Sequence, residues 1–167
     1  RQRSLVGFQT HEGWGKAASI QKVPWVAPQA PRYVPVNRTV PDSERKAAKV
    51  NAWTYEQAKE ACLDALDGSG RKIRVVGPSG FGKSRFAYEI LNEGLTVAEQ
   101  ALMRSVIYAD YSVVGDDALK LALEIADYGA QVTLVVDECP DQVHRKLAEF
   151  VDRDGSELRL ITIDVET

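Results

Sequence analysis

The amino-acid sequence predicts an α/β fold, a three-layer sandwich in which helices cover both faces of a parallel sheet. Two observations predict it. Apolar segments that read as strands alternate along the chain with segments of helical period. The strand segments are apolar at nearly every position, as in "QVTLVVD" and "LRLITID", which is typical of parallel strands buried on both faces. We expect strands near residues 72–76, 105–110, 132–137 and 158–163.

Helix signals fill the intervals between these strands. Thr54 and Gln57 have the spacing of a capping box at the start of "TYEQAKEACLDALDG", and Gly68 stands where that helix would end. The segment "DDALKLALEIADY" begins with two aspartates, and negative charges at the N-terminus of a helix interact favourably with its dipole. Gly129 follows the segment, where a glycine typically ends a helix. Further helices are expected in "SERKAAKV" (43–50), "KSRFAYEILN" (83–92), "TVAEQALM" (96–103) and "PDQVHRKLAEFVDRDG" (140–155).

The first 42 residues differ in character from the rest of the chain. They have no clear helical or strand period, and they contain prolines that block helix and sheet interiors, at Pro24, Pro28, Pro31, Pro35 and Pro41. Trp14, Trp25 and Tyr33 make the segment too apolar for a plain solvated linker. We therefore expect a proline-rich basic arm or interdomain linker over 1–42 and an ordered domain, incomplete at its C-terminus, over 43–167.

The charge distribution and the composition limit the kinds of partner and the cellular location that we expect for the chain. The net charge is −3, but residues 1–50 carry an excess of six positive charges and residues 51–167 an excess of nine negative ones. A basic arm can bind nucleic acid, or it can lie on the chain's own acidic domain, which is the favoured interpretation. No apolar run reaches the roughly 18–20 residues of a membrane span, and no signal peptide is recognisable. Cys62 and Cys139 suggest neither a disulfide framework nor a metal site, so we expect a cytoplasmic protein.

The stretch "VVGPSGFGKSRF" contains the pattern G-x-x-x-x-G-K-[ST] between a strand and a helix. Glycines in such a loop let backbone N–H groups point inward at phosphate oxygens, and the following helix directs its positive end at the same place. The lysine would neutralise the β- and γ-phosphates, and the serine hydroxyl would be a Mg²⁺ ligand. The predicted phosphate-binding residues are Gly77, Pro78, Ser79, Gly80, Phe81, Gly82, Lys83, Ser84 and Arg85.

A second motif follows about fifty residues later, where the apolar strand "VTLVVD" ends in Asp137 and Glu138. Carboxylates at the C-terminal ends of parallel strands lie at the sheet edge where ligands of open α/β sheets bind. Asp137 is therefore placed to hold Mg²⁺ through its water shell, and Glu138 to polarise a water for attack on the γ-phosphate. The alternative is that these acidic residues only cap the helix that begins after Pro140.

Together the two motifs resemble the Walker A and Walker B motifs of P-loop NTPases, in the branch with an additional catalytic glutamate that includes AAA+ and STAND ATPases. The resemblance covers about residues 45–167. It implies that Lys83 and Glu138 are catalytic and that Ser84 and Asp137 are metal ligands. It also implies the sheet order 1-4-3-2, counted along the chain, with a fifth strand missing. The end of the fourth strand, at Thr162 or Asp164, would then face the γ-phosphate as sensor 1, although an aspartate there would repel a phosphate.

The resemblance implies ATP and Mg²⁺ as cofactors, since the guanine motif N/T-K-x-D of GTPases does not occur in the sequence. The favoured function is an ATP-binding and ATP-hydrolysing module of a larger STAND-like signalling or defence switch that assembles with nucleotide. Self-association or further domains of a larger protein are then the expected partners. The alternative is an AAA+-type motor ATPase acting on nucleic acid or protein, and a small-molecule P-loop kinase is the third interpretation.

Four residues near the motifs receive simpler interpretations. Asp110 would be the acceptor-side carboxylate of a kinase, but a turn-forming aspartate is favoured. His144 is interpreted as a surface or packing residue, and Cys139 as a small buried residue without a redox role. Arg85 follows the loop serine and is expected to point toward solvent or an acceptor.

Overall fold

The computed structural model describes residues 6–17, 25, 27–28, 31–33, 52–78, 82–92 and 105–165. Within these ranges five strands form one sheet: β1 (Phe8–Thr10), β2 (Lys72–Val75), β3 (Val106–Asp110), β4 (Thr133–Asp137) and β5 (Arg159–Ile163). The described helices are α1 (His11–Ala17), α2 (Tyr55–Asp67), α3 (Lys83–Ile90), α4 (Tyr111–Val114), α5 (Asp117–Tyr128) and α6 (Asp141–Val151). The chain therefore has the α/β architecture that the sequence predicts.

The sheet order is β1-β3-β4-β5-β2. The pairs β2–β5, β5–β4 and β4–β3 are parallel, whereas β1 pairs antiparallel with β3. The four parallel strands keep the predicted relative order, with β5 between β2 and β4. The sheet as a whole nevertheless differs from the predicted one, because it is mixed and has a fifth strand at the edge far from the predicted phosphate loop (77–84).

The additional strand comes from the segment that the sequence analysis assigns to a proline-rich basic arm or interdomain linker. Within it, residues 8–17 form β1 and α1, two elements that the sequence analysis does not predict. A strand of three residues is too short to display an alternating pattern, and Gly13 and Gly15 weaken the helix signal. The segment is ordered instead by tertiary contacts, chiefly through Trp14, which is completely buried. The chosen domain boundary at residue 42 stays a prediction.

Strands β4 and β5 are buried at nearly every position, so that two apolar cores lie on opposite sides of the sheet. Along β4, Val135 belongs to the first core, and Leu134 and Val136 belong to the second. The first core also contains Trp14 of α1, Tyr55 and Leu66 of α2, and Phe86 and Ile90 of α3. The second contains Leu121 and Ile125 of α5 and Leu147 and Val151 of α6. This alternation gives helices on both faces and agrees with a three-layer sandwich.

Local signals in the sequence account for the helix ends. The Thr54 hydroxyl accepts the N–H of Gln57, and the Gln57 side chain accepts the N–H of Thr54, so the predicted capping box is confirmed. Gly129 ends α5 with a φ of 69°, a left-handed conformation that glycine adopts without steric cost. The helices expected at 43–50 and 96–103 lie outside the described residues. None of the described helices combines the length and apolar character needed to cross a bilayer.

Candidate functional site

The described part of the loop predicted to bind phosphate, called the phosphate loop below, lies at the carboxyl edge of the sheet, between the end of β2 and the start of α3. Gly77 and Pro78 follow β2, and Gly82 precedes the helix as its N-cap with a φ of 76°. A residue with a side chain would be strained in that left-handed conformation, which explains the glycine. Three of the predicted phosphate-binding residues, Ser79, Gly80 and Phe81, lie outside the described residues.

Lys83, the lysine of the motif, is buried at the mouth of this loop with only 6% of its surface exposed. Its ammonium group donates to the carbonyl of Gly77 at 2.7 Å and forms an ion pair with Asp164. Asp164 also accepts the N–H of Gly77 through its other carboxylate oxygen, at 3.3 Å. The buried positive charge is thus paired, as the cost of burying an unpaired charge requires.

Ser84 and Asp137, the two predicted metal ligands, meet at the centre of the site. The Ser84 hydroxyl donates to Asp137 Oδ2 at 2.6 Å, although the two residues are 53 positions apart in the sequence. Asp137 is the last residue of β4 and lies two positions after Val135, so its side chain points to the same face of the sheet as the core beneath α3. The fold therefore brings the loop serine and the strand-end aspartate into contact.

Tyr108 is a third member of this cluster that sequence reasoning missed. Its hydroxyl donates to Asp137 Oδ2 at 2.8 Å. Burial, together with the charge of Asp137, raises the pKa of Tyr108 well above its ordinary value, so the phenol keeps its proton and acts as a donor. Strand alternation could have found it: Asp110 and Asp137 are register partners, and Tyr108 lies two residues before Asp110 on the same face.

Tyr108 is held in turn by the N-terminal helix. The ring of Trp14 stacks on that of Tyr108, with centroids 4.3 Å apart and planes 10° apart. Trp14 also meets the ring of Tyr88 on α3 edge to face, at 5.2 Å. His11 stacks on Tyr88 at 4.2 Å, and its Nε2 lies 3.2 Å from the Tyr88 carbonyl oxygen. An aromatic group from residues 8–17 thus covers the side of the Asp137 cluster away from the loop.

Glu138, the predicted catalytic base, leaves β4 in an unusual conformation. Its φ is 50°, which is uncommon for a residue other than glycine and is found preferentially at functional sites. Its backbone N–H donates to Asp137 Oδ1 at 2.9 Å, so this turn helps to orient the neighbouring carboxylate. The side chain is half-buried. Its role as a base stays a prediction.

The two candidates for a sensor on β5 point to different places. The Thr162 hydroxyl accepts from Arg74 Nη1 at 3.0 Å and lies 2.7 Å from His144 Nδ1, on the face of the sheet that α6 covers. Asp164 lies beyond the strand and contacts Lys83 and Gly77. Asp164, and not Thr162, is therefore the β5 residue at the phosphate loop, and His144 has the packing role that the sequence analysis favours.

Arg85 and Asp110 each form a hydrogen bond with a residue close by in the sequence, and Arg85 also lies near a distant aromatic ring. The Arg85 Nε donates to Glu89 Oε1, one turn later in α3, at 2.8 Å, and its guanidinium lies 5.9 Å from the ring centroid of Trp25. The Asp110 carboxylate accepts the N–H of Ser112 at 2.8 Å and caps α4, which is the turn-forming role favoured from the sequence. Arg85 is mostly buried, with its side chain 19% exposed.

Cys139 follows Glu138 and is completely buried. Burial raises the pKa of its thiol to about 11, which leaves it protonated at neutral pH and a poor nucleophile. Its backbone N–H donates to the Ile163 carbonyl at 2.8 Å, which joins the turn after β4 to β5. Cys139 therefore acts as a packing residue beside the site.

A groove of about 590 Å³ runs from the phosphate loop along β2 and α2. At the loop end it is lined by Gly77, Gly82 and Lys83. Farther along, small or apolar side chains line it, including Ala58, Ala61, Cys62, Ala65, Ile73 and Phe86, together with Tyr33 and Trp53 and the basic residues Arg32, Lys72 and Arg74. The groove thus joins the buried lysine to a largely apolar surface that also carries aromatic and basic side chains.

The donor atoms of the cluster fit Mg²⁺. This ion typically takes one or two protein carboxylates, keeps several waters and completes its octahedron with phosphate oxygens. Asp137 Oδ2 is such a carboxylate oxygen, and the hydroxyl oxygen of Ser84, in contact with it, is a second oxygen ligand. A group of three or more His, Cys, Asp or Glu side chains that could hold a metal by themselves does not occur within the described ranges. These two residues therefore suit a Mg²⁺ ion whose remaining ligands come from the phosphates of a nucleotide.

Comparison of the chain with protein-family models, curated proteins and solved structures gives no match. The functional inference therefore depends on the chain's own residues and their geometry.

Proposed function

We propose that the chain binds ATP through the loop from Gly77 to Ser84 and, with Mg²⁺, hydrolyses it slowly. The observation that carries this proposal is the 2.6 Å hydrogen bond between Ser84 and Asp137. Each residue belongs to a separate sequence motif, and each motif by itself predicts a Mg²⁺ ligand. A glycine-rich turn without a function gives no reason for the serine after its lysine to meet a strand-end carboxylate.

Three features of the described residues favour polyphosphate binding. Lys83 places a positive charge at the mouth of the loop, where it would neutralise the β- and γ-phosphates. Helix α3 begins at that lysine, so its N-terminal N–H groups face the same place. Gly82 lets the chain enter the helix through a left-handed conformation that other residues rarely adopt. A triphosphate is the ligand that uses all three.

In the proposed reaction, the chain's own residues orient the nucleotide and accept a proton. Ser84 and Asp137 would hold Mg²⁺, which would neutralise part of the phosphate charge when it is bound. Glu138 would accept the proton of the attacking water, and Tyr108 would fix the Asp137 carboxylate by donating to it. Few further donors to the transition state are present among these residues, which is why we propose slow turnover.

The groove beside the loop suits the nucleoside part of the ligand. Its volume of about 590 Å³ lies within the roughly 300–1,000 Å³ of ligand pockets in proteins. The apolar walls along Ala58, Cys62 and Phe86 offer a surface on which a base and a ribose can lose their hydration, while the phosphates reach Lys83. This arrangement supports a nucleoside triphosphate over a bare polyphosphate.

For the biological role, we propose a cytoplasmic module of a STAND-like signalling or defence switch that assembles with nucleotide. Support comes from the strand that separates β2 from β4, as in the NTPase branch with an additional glutamate, and from the neighbouring residues Asp137 and Glu138.

Nucleotide binding tests the proposal directly. Titration calorimetry of the purified chain with ATP and Mg²⁺ should give saturable binding, and Lys83→Ala should abolish it because the triphosphate charge is then uncompensated. Lys120→Ala is the matched control, since Lys120 is an exposed lysine on α5. Equal binding by the wild-type and Lys83→Ala chains, or none by the wild type at millimolar ATP, would refute the proposed site.

Measurement of ATP hydrolysis tests whether Glu138 is the catalytic base. With protein in excess over radiolabelled ATP, Glu138→Gln should bind as the wild type does and lose hydrolysis, because an amide cannot accept the proton. Glu149→Gln, at an exposed position of α6, should change neither property. Hydrolysis by Glu138→Gln at the wild-type rate would show that Glu138 is not the base.

A further inference from the structure

Asp164 lies where β5 ends, and it is fixed there from two sides. Its backbone N–H donates to the Val75 carbonyl at 3.0 Å, which continues the β2–β5 pairing by one residue. Its side chain, 24% exposed, turns to the phosphate loop. One carboxylate oxygen contacts the Lys83 ammonium, and the other accepts the N–H of Gly77. Both oxygens of a single anion are therefore engaged by the loop.

These contacts are those of an anion in a phosphate-binding loop. A carboxylate presents two oxygens and one negative charge, and it accepts from ammonium and backbone N–H groups just as a phosphate does. Lys83 is 6% exposed and donates to Gly77 as well as to Asp164, so little of its ammonium remains open to a second anion. A phosphate group at Lys83 would also lie beside the Asp164 charge and be repelled by it.

We propose that Asp164 is an internal competitor for the phosphate site, a carboxylate that occupies Lys83 in the nucleotide-free chain and is displaced when polyphosphate binds. This inference rests on the proposed function and adds its regulation. The apparent affinity for nucleotide is then the intrinsic affinity multiplied by the fraction of chains in which Lys83 is released. The end of β5 becomes the segment that changes contacts when the loop fills.

The size of the effect on nucleotide affinity follows from the fraction of chains in which Lys83 is released from Asp164. A lysine that is held by Asp164 nine-tenths of the time lowers the apparent affinity about tenfold. Asp164→Asn removes the competing charge but keeps the side chain's size and its ability to accept the N–H of Gly77. With Lys83 held nine-tenths of the time in the wild type, the variant should bind ATP and inorganic tripolyphosphate about tenfold more tightly. Asp152→Asn is the matched control, because Asp152 pairs with Lys72 at 2.8 Å at the opposite end of β2.

Calorimetric titrations of the three chains with both ligands separate the outcomes. Tighter binding by Asp164→Asn alone supports the competitor. Equal or weaker binding by Asp164→Asn, with measurable binding by the wild type, overturns the competitor and leaves the ATP site standing. Absence of binding in all three chains overturns both.

A measurement on the unaltered chain keeps the test decisive if Asp164→Asn does not fold. The side-chain carboxyl carbon resonance of Asp164 should move when tripolyphosphate saturates the wild-type protein, because the carboxylate loses the Lys83 ammonium. The corresponding resonance of Asp152 should stay in place. An Asp164 resonance that is unchanged at saturation overturns the proposal.

Discussion

Replacing Trp14 with alanine tests whether residues 8–17 are an integral part of the domain. Trp14 has no exposed surface, stacks on Tyr108 at 4.3 Å and meets Tyr88 edge to face at 5.2 Å. Truncating a buried tryptophan to alanine typically costs about 3–5 kcal/mol of the free energy of unfolding. The indole N–H is buried without a hydrogen-bond partner among the described residues. Its removal offsets part of the cost, so we expect a loss near 3 kcal/mol, about the lower end of that range.

The assay is urea unfolding followed by far-ultraviolet circular dichroism, which does not depend on the substituted fluorophore. With a urea dependence of about 2 kcal/mol per molar, a loss of about 3 kcal/mol lowers the midpoint by about 1.5 M. Trp14→Phe retains a stacking ring and removes the unpaired N–H, so it should stay within about 1 kcal/mol of the wild type.

Tyr128→Ala is the control for the loss of an aromatic ring without burial, since Tyr128 on α5 is 89% exposed. It should change the free energy of unfolding by no more than about 0.5 kcal/mol. If Trp14→Ala behaves like Tyr128→Ala, residues 8–17 add nothing to the stability of the domain, and the aromatic contacts described above do not hold the segment.

Two further predictions concern the same cluster. Burial lowers the pKa of His11 below its ordinary value of 6.5, against the smaller opposing effects of the Tyr88 carbonyl and the Glu89 charge. Because the unfolded chain takes up a proton near pH 6.5 and the folded chain does so only at lower pH, the free energy of unfolding should fall as pH drops below 6.5. His11→Phe, which keeps a ring on Tyr88, should flatten that dependence in urea midpoints measured from pH 7.5 to 5; an identical slope would contradict the assignment. Tyr108→Phe removes the donor to Asp137 and should cost about 1.5–3 kcal/mol in urea unfolding, since the acceptor is charged. It should also weaken ATP binding more with Mg²⁺ than without, and equal weakening would show that Tyr108 does not position Asp137 for the metal.

The sequence was most informative where a repeated local signal and the tertiary structure agree. Strands β4 and β5 are largely apolar on both faces, so their burial could be predicted without knowing their neighbours. The motif around Lys83 and Ser84 and the strand end at Asp137 are short, spaced patterns whose chemistry requires particular residue types. Their meeting in space follows from parallel strands that end at one edge, which is a property of the fold class.

The sequence was least informative where order depends on contacts between distant residues. Strand β1 has three residues, and α1 contains two glycines, so neither leaves a periodic trace. Trp14 could be recognised as apolar but not assigned to Tyr108 without the sheet. The sequence indicates that Asp164 would repel a phosphate, whereas its contact with Lys83 follows only from the path of the chain after β5.

The pairing of β1 with β3 determines how late during synthesis the N-terminal segment can fold. Phe8 pairs with Ala109, 101 positions later. During synthesis at about 5–20 residues per second, the N-terminal segment therefore waits several seconds before its partner strand emerges from the ribosome. Strand β2 waits almost as long, because its neighbour β5 is made last among the described strands and inserts beside β4. Until then Trp14 and the apolar side chains of β2 have no place to be buried, which makes the nascent chain dependent on late contacts and exposes it to aggregation or to binding by chaperones.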